Sequence, residues 1–224
     1  MKKDVIIFDL DGTLLNTLED LADSTNFALR SMGYPERTPD EIREFVGNGV
    51  SKLIERAIAG GLDNPDFEKC LEVFKKNYSE NMYNKTAPYE GILLLLKNLR
   101  DLGCRIAVVS NKFDDAVKEL CDKYFNGLVD IAAGEDEIHG IKKKPAPDTV
   151  NKVLELFCVS YNAAVYVGDS DVDIMTAKNS KIPCISVTWG FRDEKFLKEH
   201  GADLIIHQPH QLIDVLDKLA KTAD

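Results

Sequence analysis

Two aspartates two residues apart, Asp9 and Asp11, stand directly after the apolar run Val5-Ile6-Ile7-Phe8 and before Gly12-Thr13. On an extended chain, residues two apart point the same way. Both carboxylates therefore emerge together from the end of a strand, and Gly12 lets the chain turn away. Two carboxylates this close repel, so one is readily protonated unless a cation is present. The pair suits a division of roles, with an ionised Asp9 as nucleophile and a protonated Asp11 as the acid for a leaving oxygen. The plainer alternative is a strand-ending turn, where Asp and Gly are both common.

Three further segments carry compatible chemistry. Ser110 and Asn111 follow the apolar run 105–109. A hydroxyl there can bond a phosphoryl oxygen with the Asn111 amide beside it, although Ser or Asn after a strand is also an ordinary helix cap. Lys144 precedes Pro145, which restricts it to extended geometry. A lysine held that way can neutralise a nucleophile and a transferring phosphoryl group. Lys142 and Lys143 make a triplet of the usual solvated kind, and the prolines at 145 and 147 are what single out Lys144. Gly168-Asp169-Ser170-Asp171-Val172-Asp173 again sets carboxylates at the end of an apolar run. Asp9, the Asp11 carbonyl and Asp169 would offer hard oxygen ligands to Mg²⁺, and Asp173 could hold one of its waters. The distal Glu and helix–loop–helix setting of a calcium-binding EF-hand are missing.

These residues need a frame to bring them together. Short β-rich runs at 4–8, 105–109, 128–132, 164–167, 182–187 and 203–206 alternate with amphipathic stretches near 92–102, 113–124, 147–158, 171–180, 192–199 and 210–221. Apolar strands separated by helices predict a parallel sheet covered on both faces. Residues 16–84 differ, with helical patterns over 18–32, 49–59 and 66–83 and a helix start at Thr38-Pro39-Asp40-Glu41. The expected architecture is α/β: a doubly wound, Rossmann-like core over 1–15 and 85–224, with an all-helical cap inserted over 16–84 and hinges near 15–17 and 84–88. In a doubly wound sheet the first strand is central and the fourth lies across the switch point, so the four segments converge on one crevice at the carboxyl ends of the strands.

Composition narrows the partners. Twenty-eight basic against 38 acidic residues give a net charge of −10, which disfavours nucleic acid and anionic membranes. A bound cation and local lysines can still reverse the field at one site. The five cysteines, at 70, 104, 121, 158 and 184, form no CxxC pair and read as thiols of a reducing, cytoplasmic protein. No stretch reads as a signal peptide or a membrane span. His139, His200, His207 and His210 match no nucleophile or metal-ligand spacing and read as surface or packing residues.

Taken in order, DLDGTL at 9–14, SN at 110–111, KPAP at 144–147 and GDSDVD at 168–173 resemble the four motifs of the haloacid dehalogenase-like hydrolase superfamily. The likeness spans essentially the whole chain. The helical insertion, together with VGNGV at 46–50, SNK at 110–112 and VTWGFRD at 187–193, is similar to its phosphoglycolate phosphatase-like branch. The resemblance implies that Asp9 forms an aspartyl-phosphate and that Asp11 protonates the leaving group and then activates water. It implies that Ser110 and Lys144 hold the phosphoryl group, and that Asp9, the Asp11 carbonyl and Asp169 bind Mg²⁺ with Asp173 in support. It also implies substrate selection by the cap loop Gly47-Asn48-Gly49 with Lys52, although Lys52 fits equally well as a solvated helix residue. Dehalogenases of the superfamily lack the second aspartate of the first motif, so Asp11 argues against C–halogen cleavage. Asn16 stands where many relatives carry Asp, which implies a hinge or hydrogen-bonding effect.

The expected activity is Mg²⁺-dependent hydrolysis of a small phosphate monoester, 2-phosphoglycolate first, by a monomer or homodimer. A pyrophosphatase, a sugar-phosphate or nucleotide phosphatase, or a β-phosphoglucomutase-like phosphotransferase shares every motif. A receiver-type signalling domain also sets acids and a lysine at strand ends, but needs no cap.

Overall fold

The computed structural model describes residues 4–221. In chain order the elements are β1 (Val5–Phe8), β2 (Leu15–Asn16), α1 (Leu18–Ser31), α2 (Pro39–Phe45), α3 (Val50–Ala57), α4 (Phe67–Asn81), β3 (Ala87–Pro88), α5 (Ile92–Asp101), β4 (Arg105–Phe113), α6 (Asp114–Phe125), β5 (Ile131–Glu135), α7 (Asp148–Leu156), β6 (Ala164–Gly168), α8 (Asp171–Asn179), β7 (Cys184–Val187), α9 (Glu194–Glu199), β8 (Leu204–Ile206) and α10 (Gln211–Lys221). They form two compact units, one of residues 15–87 and the other of the remainder. The segments β2 and β3 pair as a two-stranded ribbon where the chain passes between the units.

The larger unit is built on a six-stranded sheet in the order β5-β4-β1-β6-β7-β8, and its neighbouring strands run parallel. Counted within the sheet this is the 3-2-1-4-5-6 order of a doubly wound fold. The runs are apolar throughout because both faces are covered: the four residues of β1 are all buried. Val5 and Ile7 join Ala107, Val109, Tyr166 and the inward residues Val150, Val153 and Leu154 of α7 in one core cluster. Ile6 and Phe8 alternate to the other face.

Two strands depart from the sequence expectation. The strand expected at 128–132 begins at Ile131. The N–H groups of Leu128 and Val129 are turned back to the Phe125 carbonyl, closing the end of α6, so these two apolar residues form a turn and not a ladder. The strand expected to stop at 109 continues through β4 to Phe113, with a register break against β5 between Val109 and Phe113. Ser110, Asn111 and Lys112 lie in that irregular stretch. Bulges of this kind re-aim side chains beside functional sites.

In the smaller unit, α2 starts with the expected capping box: Thr38 Oγ1 accepts from the Glu41 N–H at 3.2 Å, and the Glu41 carboxylate accepts from the Thr38 N–H at 2.8 Å. Phe74 and Tyr78 of α4 stack with ring centroids 5.6 Å apart. Asp20 of α1, 2% exposed, accepts the N–H of Lys85 at 3.0 Å and of Thr86 at 2.8 Å. A buried carboxylate thus fixes the end of the unit to its first helix. Asp20→Ala leaves those donors unmatched, and we expect it to lower stability by about 3 kcal/mol, with Asp20→Asn milder, in urea unfolding monitored by circular dichroism. Equal midpoints for wild type and Asp20→Ala would refute this tie.

Candidate active site

Two central strands deliver the carboxylates. Phe8 of β1 is in register with Val167 of β6, and the Asp9 N–H continues the ladder to the Val167 carbonyl at 2.9 Å. Asp9 and Asp169 therefore leave neighbouring strands at the same edge. Beyond Asp169, Ser170 caps α8. Its Oγ accepts from the Asp173 N–H at 3.4 Å, while its own N–H and O–H donate to Asp173 Oδ2 at 3.1 and 2.6 Å. This reciprocal cap fixes Asp173 in the first helical turn, where the N-terminal dipole favours an anion. The result is a buried cluster in which one carboxylate oxygen each of Asp9, Asp169 and Asp173 lie within 4.8 Å of one another.

Lys144 answers this charge. Its ammonium lies 2.8 Å from Asp9 Oδ1 and 2.8 Å from Asp173 Oδ1, and donates to the Tyr166 hydroxyl at 3.1 Å. Its main chain is held from the other side by Asn111, whose Oδ1 accepts the Lys144 N–H at 2.8 Å and whose Nδ2 donates to the Lys144 carbonyl at 3.0 Å. Both ends of the Asn111 amide thus meet the Lys144 backbone. The Lys144–Pro145 peptide is cis. Burial alone would lower the Lys144 pKa, but Asp173 and Asp9 outweigh it and hold the ammonium well above its ordinary range. Burial, then Asp173, drives the Asp9 carboxyl well above the usual carboxylate range, against the pull of Lys144. The same two causes push Asp169 up to about 7.

Glycines close the space around Asp169. Gly12 has φ +85°, and a Cβ there would stand 2.4 Å from Asp169 Oδ2; a Cβ on Gly190 would stand 2.3 Å from the Gly12 carbonyl oxygen. The Phe191 N–H donates to Asp169 Oδ2 at 2.7 Å and Thr13 Oγ1 donates to Oδ1 at 3.3 Å. Trp189 locks this loop by donating its indole N–H to the Thr13 carbonyl at 3.0 Å.

Asp11 contributes no carboxylate oxygen to the three-acid cluster. Its two oxygens lie 2.9 and 3.0 Å from Lys112 Nζ. Ser110, 4% exposed, accepts the Lys112 N–H at 3.2 Å. In the smaller unit Lys52 is paired with Glu55 on its own helix at 2.6 Å, Asn48 accepts from Arg56 at 2.9 Å, and Gly47 has φ +119°. The four histidines are exposed.

Sequence reasoning missed Lys112 and Tyr166. Lys112 was legible only as the third letter of SNK, and the register break that buries it is invisible in the sequence. Tyr166 had one usable signal: a tyrosine inside an apolar strand needs a partner for its hydroxyl. That hydroxyl donates to the Val109 carbonyl at 3.0 Å while accepting from Lys144.

The donors around the cluster are hard carboxylate oxygens. The four acids Asp9, Asp11, Asp169 and Asp173 face the buried ammonium groups of Lys112 and Lys144. With all four ionised the imbalance would be two negative charges, which a divalent oxygen-seeking cation would complement.

Residues 6–187 match the family described as haloacid dehalogenase-like hydrolase. A phosphoglycolate phosphatase of Aquifex aeolicus is 34% identical, over 95% of this chain and 96% of that protein. One of Pseudomonas fluorescens is 31% identical, over 93% and 78%. The crystal structure of a presumed phosphoglycolate phosphatase from Lactobacillus delbrueckii subsp. bulgaricus superposes with a TM-score of 0.91 at 37% identity, covering 96% of this chain and 99% of its own. On the family match and this full-length similarity, the chain belongs to the haloacid dehalogenase-like hydrolases.

Proposed function

We propose that this phosphatase hydrolyses a small phosphate monoester, with 2-phosphoglycolate the first candidate, through an aspartyl-phosphate on Asp9 and with Mg²⁺ as cofactor. The observation that carries the reading is the ion-pair cluster in which Lys144 bridges Asp9 and Asp173 beside Asp169. The named relatives, phosphoglycolate phosphatases aligned over nearly the whole chain, support the substrate.

An oxygen of Asp9 attacks phosphorus, and the bond from phosphorus to the ester oxygen breaks. Asp11, which takes up a proton from water as the substrate binds, passes it to that oxygen, and the alcohol leaves. Asp11, now ionised, takes a proton from a water whose oxygen attacks the phosphorus. The bond to Asp9 breaks, phosphate departs and both aspartates are restored. Lys144 holds the phosphoryl oxygens and keeps Asp9 oriented, and Ser110 donates its hydroxyl to the same group. Asn111 acts through Lys144 by fixing its backbone.

Asp9, the Asp11 carbonyl and Asp169 would hold Mg²⁺, with Asp173 in support. When bound, the ion supplies positive charge against the incoming phosphate oxygens. The helical unit is the element we assign to substrate selection as a cap, through Gly47, Asn48 and Lys52. Among the described residues no helix is long and apolar enough to cross a membrane, which suits a soluble, small-molecule role.

Asp9→Asn is expected to lower phosphate release from 2-phosphoglycolate by at least about 10³-fold, and chelation of Mg²⁺ should stop the wild type; full activity in Asp9→Asn would end the covalent mechanism. A second expectation follows from Asp169, whose pKa is raised to about 7. The cation binds the ionised carboxylate, so protons compete with it, and affinity is high above that pKa and lost below it. Mg²⁺ affinity should therefore weaken by up to about tenfold per pH unit between pH 7 and pH 6. The readout is the fluorescence of the single tryptophan, Trp189, whose loop contacts Asp169. An affinity that stays flat from pH 8 to 6 would refute a metal-binding carboxyl that titrates in this range.

A further inference from the structure

We propose that Lys112 determines substrate specificity: it receives a carboxylate carried by the leaving group, and this exchange frees Asp11 from the ion pair that holds it. The inference rests on the phosphatase reading of the site.

Lys112 lies in the irregular end of β4, two residues beyond Ser110, and its side chain is 1% exposed while that of Asp11 is 14% exposed. An ammonium taken this far from water needs an opposite charge, and here both Asp11 oxygens supply it at 2.9 and 3.0 Å. Asp11 is also the group assigned to the ester oxygen. To act as the acid at that oxygen, its carboxylate must leave the ammonium or share it and take up a proton from water. Moving Asp11 aside takes a carboxylate away from a buried cation, so an incoming anion lowers the barrier to the move.

The reach is right for a short carboxylated ester. In an O–CH₂–COO⁻ leaving group, the carboxylate oxygens lie about 3 Å from the ester oxygen by ordinary covalent geometry. An acid touching that ester oxygen sits about 3 Å from it, and Lys112 sits 2.9 Å from the acid. The substrate carboxylate and Asp11 can therefore compete for one ammonium. Lys144 is committed elsewhere, to Asp9, Asp173 and Tyr166. The two buried lysines thus divide the substrate, Lys144 at the transferring phosphoryl group and Lys112 at the leaving group. A neutral leaving group gains nothing from Lys112 and leaves Asp11 tied.

The test compares kcat/KM for 2-phosphoglycolate with that for 2-hydroxyethyl phosphate, which differs by an alcohol in place of the carboxylate, in the presence of Mg²⁺. The wild type should prefer the carboxylate on the order of 30-fold, the worth of a charged hydrogen bond. In Lys112→Met the ratio should fall to within about threefold of unity, and Lys112→Arg should retain most of it. Glycolate should also inhibit wild-type hydrolysis of 2-hydroxyethyl phosphate more strongly than ethylene glycol does, which needs no variant to fold. Wild-type turnover of both esters at equal efficiency overturns the proposal, as does a Lys112→Met variant that loses the same factor on each. Failure of the wild type to hydrolyse either ester would instead remove the substrate reading on which the proposal rests.

Discussion

Carboxylates gathered in a buried space repel one another, and the edge of this sheet is organised around that repulsion. Asp9, Asp169 and Asp173 converge as buried residues, and Lys144 reaches two of the three directly. Because the pairing is buried, losing one partner leaves an uncompensated charge, a far larger penalty than breaking a surface ion pair. The surrounding structure is accordingly rigid. Asn111 grips the Lys144 backbone, Tyr166 takes one ammonium hydrogen, and the Ser170 cap immobilises Asp173.

The parallel sheet makes such convergence inexpensive in conformational terms. Every strand presents its carboxyl end to the same edge, and the strand order places β1 between β4 and β6. Three chain segments remote in sequence therefore emerge side by side, and short loops suffice to aim their side chains. Where a loop must approach closely, glycine provides the room: Gly12 and Gly190 allow two backbones to meet over the Asp169 carboxylate. The same edge separates two cationic positions, one buried among the three acids and one beside Asp11, and that separation gives the two ends of a substrate different surroundings.

Much of this was legible from residue types and spacing. Asp9 and Asp11 declared themselves as a pair after a strand, Asp169 and Asp173 as acids opening a helix, and the alternation of apolar runs with amphipathic stretches announced a doubly wound sheet. The capping box at Thr38 and Glu41 was readable because both partners lie within one helical turn. The two strand misreadings lie where hydrogen bonding, not residue type, decides the outcome. The end of β4 depends on a distant partner, since its register shifts against β5, and the start of β5 on a turn onto the Phe125 carbonyl that takes two apolar residues out of the ladder. Lys112 escaped notice because a lysine looks solvent-bound until the strand carrying it is placed beside Asp11. Local pattern names the chemical groups; long-range register decides which of them touch.

The central position of β1 also bears on how the chain is made. Val5 pairs with Arg105 on one side and Ala164 on the other, so this strand leaves the ribosome well before either of its neighbours. The intervening helical unit is one continuous segment, residues 15–87, and can collapse before the sheet, whose central strand is flanked on both sides only once Ala164 has been made. During that interval the apolar Val5-Ile6-Ile7-Phe8 segment is an unpaired, aggregation-prone edge. The acids that follow it, Asp9 and Asp11, then serve as charged gatekeepers of the nascent chain before they take up their places at the finished sheet.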